Sequence, residues 1–314
     1  MKKVNTRMLS EKEWQELLKN QFKGSLECNV PMKNHTRLAI GGPADALAVP
    51  DDPLSLKNLI VTLKEQGIPF MTLGSGTNML VRDGGIEGMV IMLQAFNRIE
   101  MIKEYEDSVE IFVEAGLLWQ KLVNYCKGKG YAGVEGLTGI PGTVGGAIYG
   151  NAGSYGYETK DVIDTVAIMD QHGMLERFKV EGLRFDYRTS SISGGNIILS
   201  ANMRMKKDAS ESVSMRTEDF FRDRREKQPL AEKSAGCVFK NPKGSSAGKL
   251  IDETGCKGMS IGEIQVSPVH ANFFVNRGNG TAVDYLNLME HVSVNIQKRC
   301  GITLEPEIKI VGRN

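Results

Sequence analysis

The stretch Gly133–Gly156, GVEGLTGIPGTVGGAIYGNAGSYG, has nine glycines in 24 residues, one acidic side chain and no basic one. Such a run does not make a long helix or a regular strand, because each interior glycine costs about 0.5–1 kcal/mol relative to alanine. What glycine gives instead is positive φ and close approach of the backbone to another group. Successive exposed N–H groups in such a turn make a concave anion site. The stretch therefore reads as a loop that wraps a phosphate-bearing ligand. A disordered linker is the alternative. Ile140, Val144, Ile148 and Tyr149 argue against it, since linkers are poor in such residues.

A second turn of this kind lies upstream. Pro69–Leu73 reads as a short buried strand, and it empties into Gly74-Ser75-Gly76-Thr77-Asn78. Backbone N–H groups after a strand commonly meet a phosphate. No GK[ST] follows, so this is not a Walker loop, and no GxGxxG opens a helix, so it is not a Rossmann fingerprint. Two phosphate-competent turns in one chain suit a long ligand with a diphosphate, such as a dinucleotide.

Helices and strands mix around these turns. Apolar spacing and end signals predict helices over Ser10–Phe22, Pro53–Gln66, Leu117–Lys129, Glu211–Glu226 and Thr281–Lys298, and another opening at Ser246. Strands are expected at Met89–Leu93, twice within Arg98–Gly116, at Val162–Met169, Asn196–Met205 and Ala271–Val275, and from Leu304 to Val311. Asn34–Asp45 reads as turn-rich, either a turn between short strands or a segment that brings Arg37 near the diphosphate. A length of 314 residues suggests two or three domains. The composition shifts near Lys207, where a boundary is expected.

A net charge of +1 argues against wholesale nucleic-acid binding. No apolar run reaches the ~18 residues of a membrane span. The N-terminus is basic but lacks an apolar core, so it does not read as a signal peptide. The five cysteines are scattered, with no CxxC, and the four histidines do not cluster with them. They read as reduced cytosolic thiols without a structural metal.

Three places have side chains suited to chemistry. Arg188, in Tyr187-Arg-Thr-Ser190, can stabilise charge developing on a carboxylate or enolate oxygen, or it is a solvated surface residue. Cys237, in Ala235-Gly-Cys-Val-Phe239, is a buried small hydrophobe or a proton donor. Glu305 and Glu307 flank Pro306. In an extended chain they share a face, either toward a cleft or toward solvent.

Seven segments extend this reading. GSGTN at 74–78, GIPGTVGGAIYGNAG at 139–153, YRTS at 187–190, RREKQP at 224–229, SAGCVFKNP at 234–242, SAGKLID at 246–252 and LEPEIKIVG at 304–312 occur in that order. Together they closely resemble the UDP-N-acetylenolpyruvoylglucosamine reductase (MurB) family of bacterial cell-wall precursor synthesis. The resemblance runs from about residue 30 to the C-terminus and is to the family's shorter, type II form.

The resemblance implies an α+β chain: a two-lobed FAD-binding fold of the PCMH/vanillyl-alcohol-oxidase type plus a C-terminal α+β substrate-binding domain. The lobes would be 1–92 and 93–207, the substrate domain 208–300, with 301–314 returning to the first lobe. It implies non-covalent FAD, with NADPH as co-substrate. Gly74, Ser75, Gly76, Thr77 and Asn78 would hold the flavin from one side. Ile140, Pro141, Gly142, Thr143, Gly145, Gly146, Asn151, Ala152 and Gly153 would hold it from the other, with Arg188 and Arg224. Lys227, Lys240, Asn241, Lys249 and His270 would face the UDP-sugar.

The implied reaction transfers hydride from flavin N5 to the terminal enol-ether carbon of UDP-N-acetylglucosamine enolpyruvate, and then a proton to the adjacent carbon, which bears the carboxylate. Arg188 and Glu307 match the residues at the substrate carboxylate, Glu307 rather than Glu305 by its place in the motif. The family's usual proton donor is a serine, and Cys237 stands there in this chain. A thiol is more acidic than a hydroxyl but larger and a poorer hydrogen-bond donor. The expected partner is the small-molecule substrate alone, with no nucleic acid, membrane or obligate protein, in the cytoplasm. Two other readings are an alcohol oxidase on the same flavin fold and a catalytically impaired flavin binder.

Overall fold

The computed structural model describes residues 9–18, 21–192 and 195–314. The basic start at 1–8 and residues 19–20 of the first expected helix lie outside the described residues. The chain forms two compact units. One comprises Met1–Cys28, Ala46–Gly74 and Gly88–Asp223, the other Asn29–Asp45, Ser75–Glu87 and Arg224–Asn314. The division at 223/224 falls inside a helix rather than at the composition shift near Lys207.

The first unit holds α1 (Glu11–Leu18), α2 (Pro53–Glu65), α3 (Trp119–Lys129), α4 (Val144–Tyr149) and most of α5 (Ser210–Lys227). Local chemistry sets their ends. Ser10 and Glu13 exchange backbone-to-side-chain hydrogen bonds before α1, a capping box. Asp52 caps α2 by accepting from Ser55 N at 2.7 Å, with Pro53 at the first helical position. Gly130 closes α3 at φ +68, a left-handed conformation that glycine adopts without penalty.

A six-stranded antiparallel sheet carries this unit. Its order is Leu175–Lys179, Ile163–Met169, Ile197–Lys207, Ser108–Glu114, Ile99–Glu104, and Tyr131–Ala132 pairs with Ile197–Lys207 off that path. Val109, Ile111 and Val113 are fully buried against Trp119, Leu122, Val144 and Ile148. A four-stranded sheet runs Gly24–Pro31, Pro43–Pro50, Ile86–Met92, Phe70–Leu73. Its apolar positions Ala46, Ala48, Met89 and Ile91 pack on Leu56, Leu59, Ile60 and Leu63 of α2. Asn34–Asp45, one reading of which is a turn between short strands, lies between Gly24–Pro31 and Pro43–Pro50, the second strand starting inside it at Pro43.

The second unit pairs Ser234–Cys237, Phe273–Asn276, Ile264–Val266 and Ser260–Ile261 as an antiparallel sheet. α6 (Ala247–Glu253) and α7 (Ala282–Cys300) belong to it. Phe239, Phe274, Tyr285, Leu288 and Val292 form its core. α7 opens on Thr281, which accepts from Asp284 N at 3.0 Å, and Asp83 accepts from Ala282 N and Val283 N. Met79–Val81 pairs in parallel with Lys309–Val311. The C-terminal strand therefore begins at Lys309, not Leu304. Pro306 has no N–H to donate, and 304–308 keeps one bridge, Phe239 with Pro306. No helix among the described residues is long and apolar enough to cross a membrane.

Candidate active site

In the first unit the glycine-rich stretch is pinned along its length. Gly139 N donates to Gln120 Oε1 at 2.9 Å, and Gly142 O accepts from Trp119 N at 2.9 Å. Val144 N and Gly145 N donate to Leu117 O and Ala115 O, at 2.9 and 2.8 Å. Thr143 caps the six-residue α4 by accepting from Gly146 N at 3.3 Å. These bonds remove the linker reading. They also explain a helix at a Gly-Gly pair: the tertiary contacts fix the backbone that glycine alone leaves free.

The glycines are needed for close approach. A Cβ on Gly74 would stand 2.7 Å from Thr143 Oγ1, and one on Gly145 3.0 Å from the Ala115 Cβ. Gly74, from the first glycine turn, thus meets Thr143 of the second. The single acid of the stretch, Glu135, is buried and accepts from Gly133 N at 2.6 Å and from Arg216 at 3.1 and 2.8 Å. Its charge is matched by Arg216, so the loop presents backbone, small side chains and Pro141 rather than a carboxylate. Such a surface sets no unmatched carboxylate against a diphosphate.

Arg188 overhangs the end of this stretch. It is the second residue of a two-residue turn between Phe185–Asp186 and Thr189–Ser190, with φ +59. Glycine is the usual residue at such an angle, and a non-glycine there marks stored strain of the kind found at ligand clamps. The turn is fastened to the glycine-rich stretch twice. Ser190 Oγ donates to Tyr149 O at 2.8 Å, and Asn151 Nδ2 donates to Asp186 O at 3.2 Å. Tyr187 lies under the guanidinium, 5.0 Å from the ring centre. A Cβ on Gly153 would stand 3.1 Å from Arg188 Nη1. Glu158 is held below the usual carboxylate range, first by Lys160 and also by the charge of Arg188.

Asn151 does more structural work than its motif suggests. Its side chain bonds Glu158, Asp186 and Lys160 N, and its φ is +41. Ala152 O accepts from Thr159 N and Oγ1, both at 2.9 Å. These two residues shape the loop. Ile140 packs against the unit's core.

The second unit gathers a different set. Cys237 ends a strand after Gly236, which has φ +76, and faces Phe273 in register. Val238 N donates to Asn272 O at 2.8 Å, and the side chain of Asn272 bonds both N and O of Phe239, at 3.0 and 2.7 Å. Asn272 thus extends the strand by imitating a backbone. On the other side, Glu307 N donates to Val238 O and Lys240 N to Glu305 O, each at 2.8 Å. Glu307 is thereby brought beside the strand that carries Cys237. Glu305 is exposed and ion-paired to Lys240, so the two glutamates differ in surroundings.

The remaining residues of the GSGTN turn belong to this unit. Asn78 Nδ2 donates to Glu307 O at 3.4 Å, and Asn78 O accepts from Lys309 N at 3.1 Å. A Cβ on Gly76 would lie 2.1 Å from His35 O, and Arg37 N donates to Gly76 O. The Arg37 guanidinium itself is spent on Leu230 O. Ser75 and Thr77 flank Gly76 in the same turn.

Among the expected sugar-nucleotide residues, Lys227 ends α5 exposed and Arg224 is buried one turn earlier, bonded to Gln228. Asn241 Oδ1 accepts from Ala247 N at 3.0 Å and so positions α6, while Lys249 lies exposed near Glu253. His270 packs edge-on to Phe273 at 4.9 Å and against Gly248. Burial pushes it below its usual value. Nδ1 accepts from Asn272 N at 3.2 Å, which leaves Nε2–H as the donor. Asn272 had no motif to announce it, and only its contacts reveal its place.

Two family descriptions match the chain: "FAD binding domain" over residues 44–179 and "UDP-N-acetylenolpyruvoylglucosamine reductase, C-terminal domain" over 228–311. A UDP-N-acetylenolpyruvoylglucosamine reductase of Geotalea uraniireducens is 40% identical over 291 residues, 93% of this chain and 95% of the relative. One of Caldanaerobacter subterraneus is 41% identical over 290 residues, 92% and 94% of the two chains. The crystal structure of the reductase from Thermus caldophilus superposes with a TM-score of 0.79 at 34% identity, covering 93% of this chain and all of that one.

Proposed function

The chain belongs to the UDP-N-acetylenolpyruvoylglucosamine reductase family, and from that premise we propose how its own residues perform the reduction of UDP-N-acetylglucosamine enolpyruvate to UDP-N-acetylmuramate. Its fold is the α+β FAD-binding fold of the vanillyl-alcohol-oxidase type with the reductase's C-terminal domain. FAD, when bound, supplies the hydride, and NADPH replenishes it. The glycine-rich stretch 139–153 and the turn 74–78 hold the cofactor, with Arg188 and Arg224 as its cations. We read the chain as two FAD lobes, 1–92 and 93–207, and a substrate domain, 208–300, with 301–314 returning to the first lobe.

By their places in the family's motifs, we assign Arg188 and Glu307 to the carboxylate of the enolpyruvyl group. Arg188 stabilises the negative charge that develops there as the double bond is reduced, and its strained turn keeps the guanidinium from relaxing away. Cys237 then gives its proton to the carbon next to the carboxylate. Lys227, Lys240, Asn241, Lys249 and His270 serve the UDP-sugar. His270, held neutral, offers Nε2–H to an acceptor. The partner is that small molecule, and the enzyme acts in the cytoplasm.

The observation that carries this reading is the register of 304–308 on 238–240. It sets Glu307 beside the Cys237 strand and sends Glu305 to Lys240. The test is stopped-flow reduction and reoxidation of Cys237→Ala and Cys237→Ser. Cys237→Ala should slow substrate-dependent reoxidation by roughly 10²–10⁴-fold while NADPH reduces the flavin at the parent rate. Cys237→Ser, which restores the family's usual donor, should retain turnover. Parent-rate reoxidation in Cys237→Ala would remove the thiol from the reaction.

A further inference from the structure

Asn151 lies near the end of the glycine-rich stretch and is buried, with 1% of its surface exposed. Its amide is fully committed. Oδ1 accepts from Lys160 N at 3.1 Å, and Nδ2 donates to Asp186 O and to Glu158 Oε2, each at 3.2 Å. One end of the amide faces an N–H, the other a carbonyl and a carboxylate, so only this orientation is bonded throughout. Both N–H donors are spent, and none is left for a flavin or a phosphate. Unlike the glycines around it, which act by leaving room, Asn151 acts through its side chain, and that side chain is turned to the protein.

Two of its three partners bear on Arg188. Asp186 pairs with Thr189 across the two-residue turn Tyr187-Arg188, so the carbonyl that Asn151 holds belongs to the residue where the turn begins. Ser190, on the returning arm, donates to Tyr149 O at 2.8 Å. The outgoing arm thus hangs on a side-chain amide and the returning arm on a backbone carbonyl. Glu158, the other partner, neighbours the guanidinium: Arg188 Nη1 and Glu158 Cγ stand 3.1 and 3.2 Å from where a Cβ on Gly153 would be. Arg188 has φ +59, and a residue strained in this way keeps its conformation only while the surrounding contacts impose it.

We infer that Asn151 is a positioning residue for Arg188, its amide fixing both the start of the Arg188 turn and the acid beside the guanidinium. The inference rests on the assignment of Arg188 to the substrate carboxylate. A guanidinium displaced by about 1 Å loses much of its hold on developing charge, and misplacement of that order costs up to about a hundredfold in rate.

The experiment is a double-mutant cycle on substrate-dependent reoxidation, followed by stopped flow at saturating UDP-N-acetylglucosamine enolpyruvate and expressed per bound flavin. Asn151→Ala should slow this step by about 10–100-fold in the parent and by less than about twofold in Arg188→Ala, because a residue that acts through Arg188 then has nothing to act on. A merely structural role slows both backgrounds by the same factor. That result, or parent-rate reoxidation in Asn151→Ala beside a slow Arg188→Ala, overturns the inference. If Asn151→Ala fails to hold flavin, Asn151→Ser, which keeps one hydroxyl donor, enters the same cycle with an expected loss of about 3–10-fold in the parent alone. Trypsin cleavage after Arg188, read by mass spectrometry on the flavin-loaded enzyme, reports the hold on the turn apart from any chemistry. Asn151→Ala should speed it about tenfold, and unchanged cleavage overturns the inference. Faster cleavage beside parent-rate reoxidation in Arg188→Ala upholds the positioning and overturns only the role given to Arg188.

Discussion

In the first unit the glycine-rich stretch is held by backbone groups of its neighbours: Ala115 O, Leu117 O and Trp119 N each take one of its bonds. In the second unit the Cys237 strand is held by pieces far apart in sequence, Asn272 on one side and 305–307 on the other. The first region favours the absence of side chains, since a Cβ on Gly74 would stand 2.7 Å from Thr143 Oγ1 and one on Gly145 would press on Ala115 at 3.0 Å. The second depends on the identity of side chains: a thiol, a half-buried glutamate and a buried asparagine. Substitutions in the first should therefore act on cofactor retention, and substitutions in the second on rate or stability with the cofactor in place.

The largest effect should come from filling the first region. Gly145→Val drives two methyl groups toward Ala115 and should cost on the order of 3 kcal/mol, roughly a hundredfold in FAD affinity. The visible flavin band of the purified protein reads it directly. Next comes Glu307→Gln, which should slow substrate-dependent reoxidation by about 10²-fold while NADPH reduction proceeds at the parent rate. Glu305→Gln, removing an exposed partner of Lys240, should leave both half-reactions within about twofold. Equal losses in the two variants would erase the distinction drawn between the glutamates.

Asn272→Ala separates support from chemistry in the second region. It leaves Phe239 N and O without their partner and should cost about 1–3 kcal/mol in urea unfolding. Flavin content should stay at the parent level. The smallest effect concerns pH. Burial holds the folded-state pKa of His270 below the ~6.5 of an unfolded histidine. The folded protein then binds fewer protons than the unfolded chain between those two values. This contribution is full above about pH 6.5 and is lost as pH falls through the lower, folded value. His270→Gln should flatten that part of the stability profile, and an unchanged slope would mean that His270 is not held neutral.

The two regions also differ in how much of them the sequence revealed. The cradle was legible because its evidence is contiguous: nine glycines with apolar residues between them, in one run. Even there α4 was hidden, since Gly145 and Gly146 disfavour a helix until Ala115, Leu117 and the Thr143 cap fix it. The strands at 24–31 and 43–50 were legible only as unbounded short strands around a turn, for a related reason. GSLECNVP and PADALAVP are rich in small and polar residues and bounded by Gly and Pro, so only pairing within the sheet makes them strands. In the second region the SAGCVFKNP and LEPEI motifs named Cys237 and Glu307, but not their adjacency. That needs a pairing across more than sixty residues of chain, which no local pattern encodes. Asn272 shows no motif at all, because it acts through its amide geometry.

The most direct test of the account is the visible spectrum of the purified protein, taken anaerobically before NADPH, after NADPH, and after UDP-N-acetylglucosamine enolpyruvate. A yellow protein that bleaches with NADPH and regains its colour only on adding the enolpyruvyl sugar nucleotide is the predicted result. A protein that bleaches but is not reoxidised by that substrate, or that takes up no FAD when FAD is supplied, would contradict it.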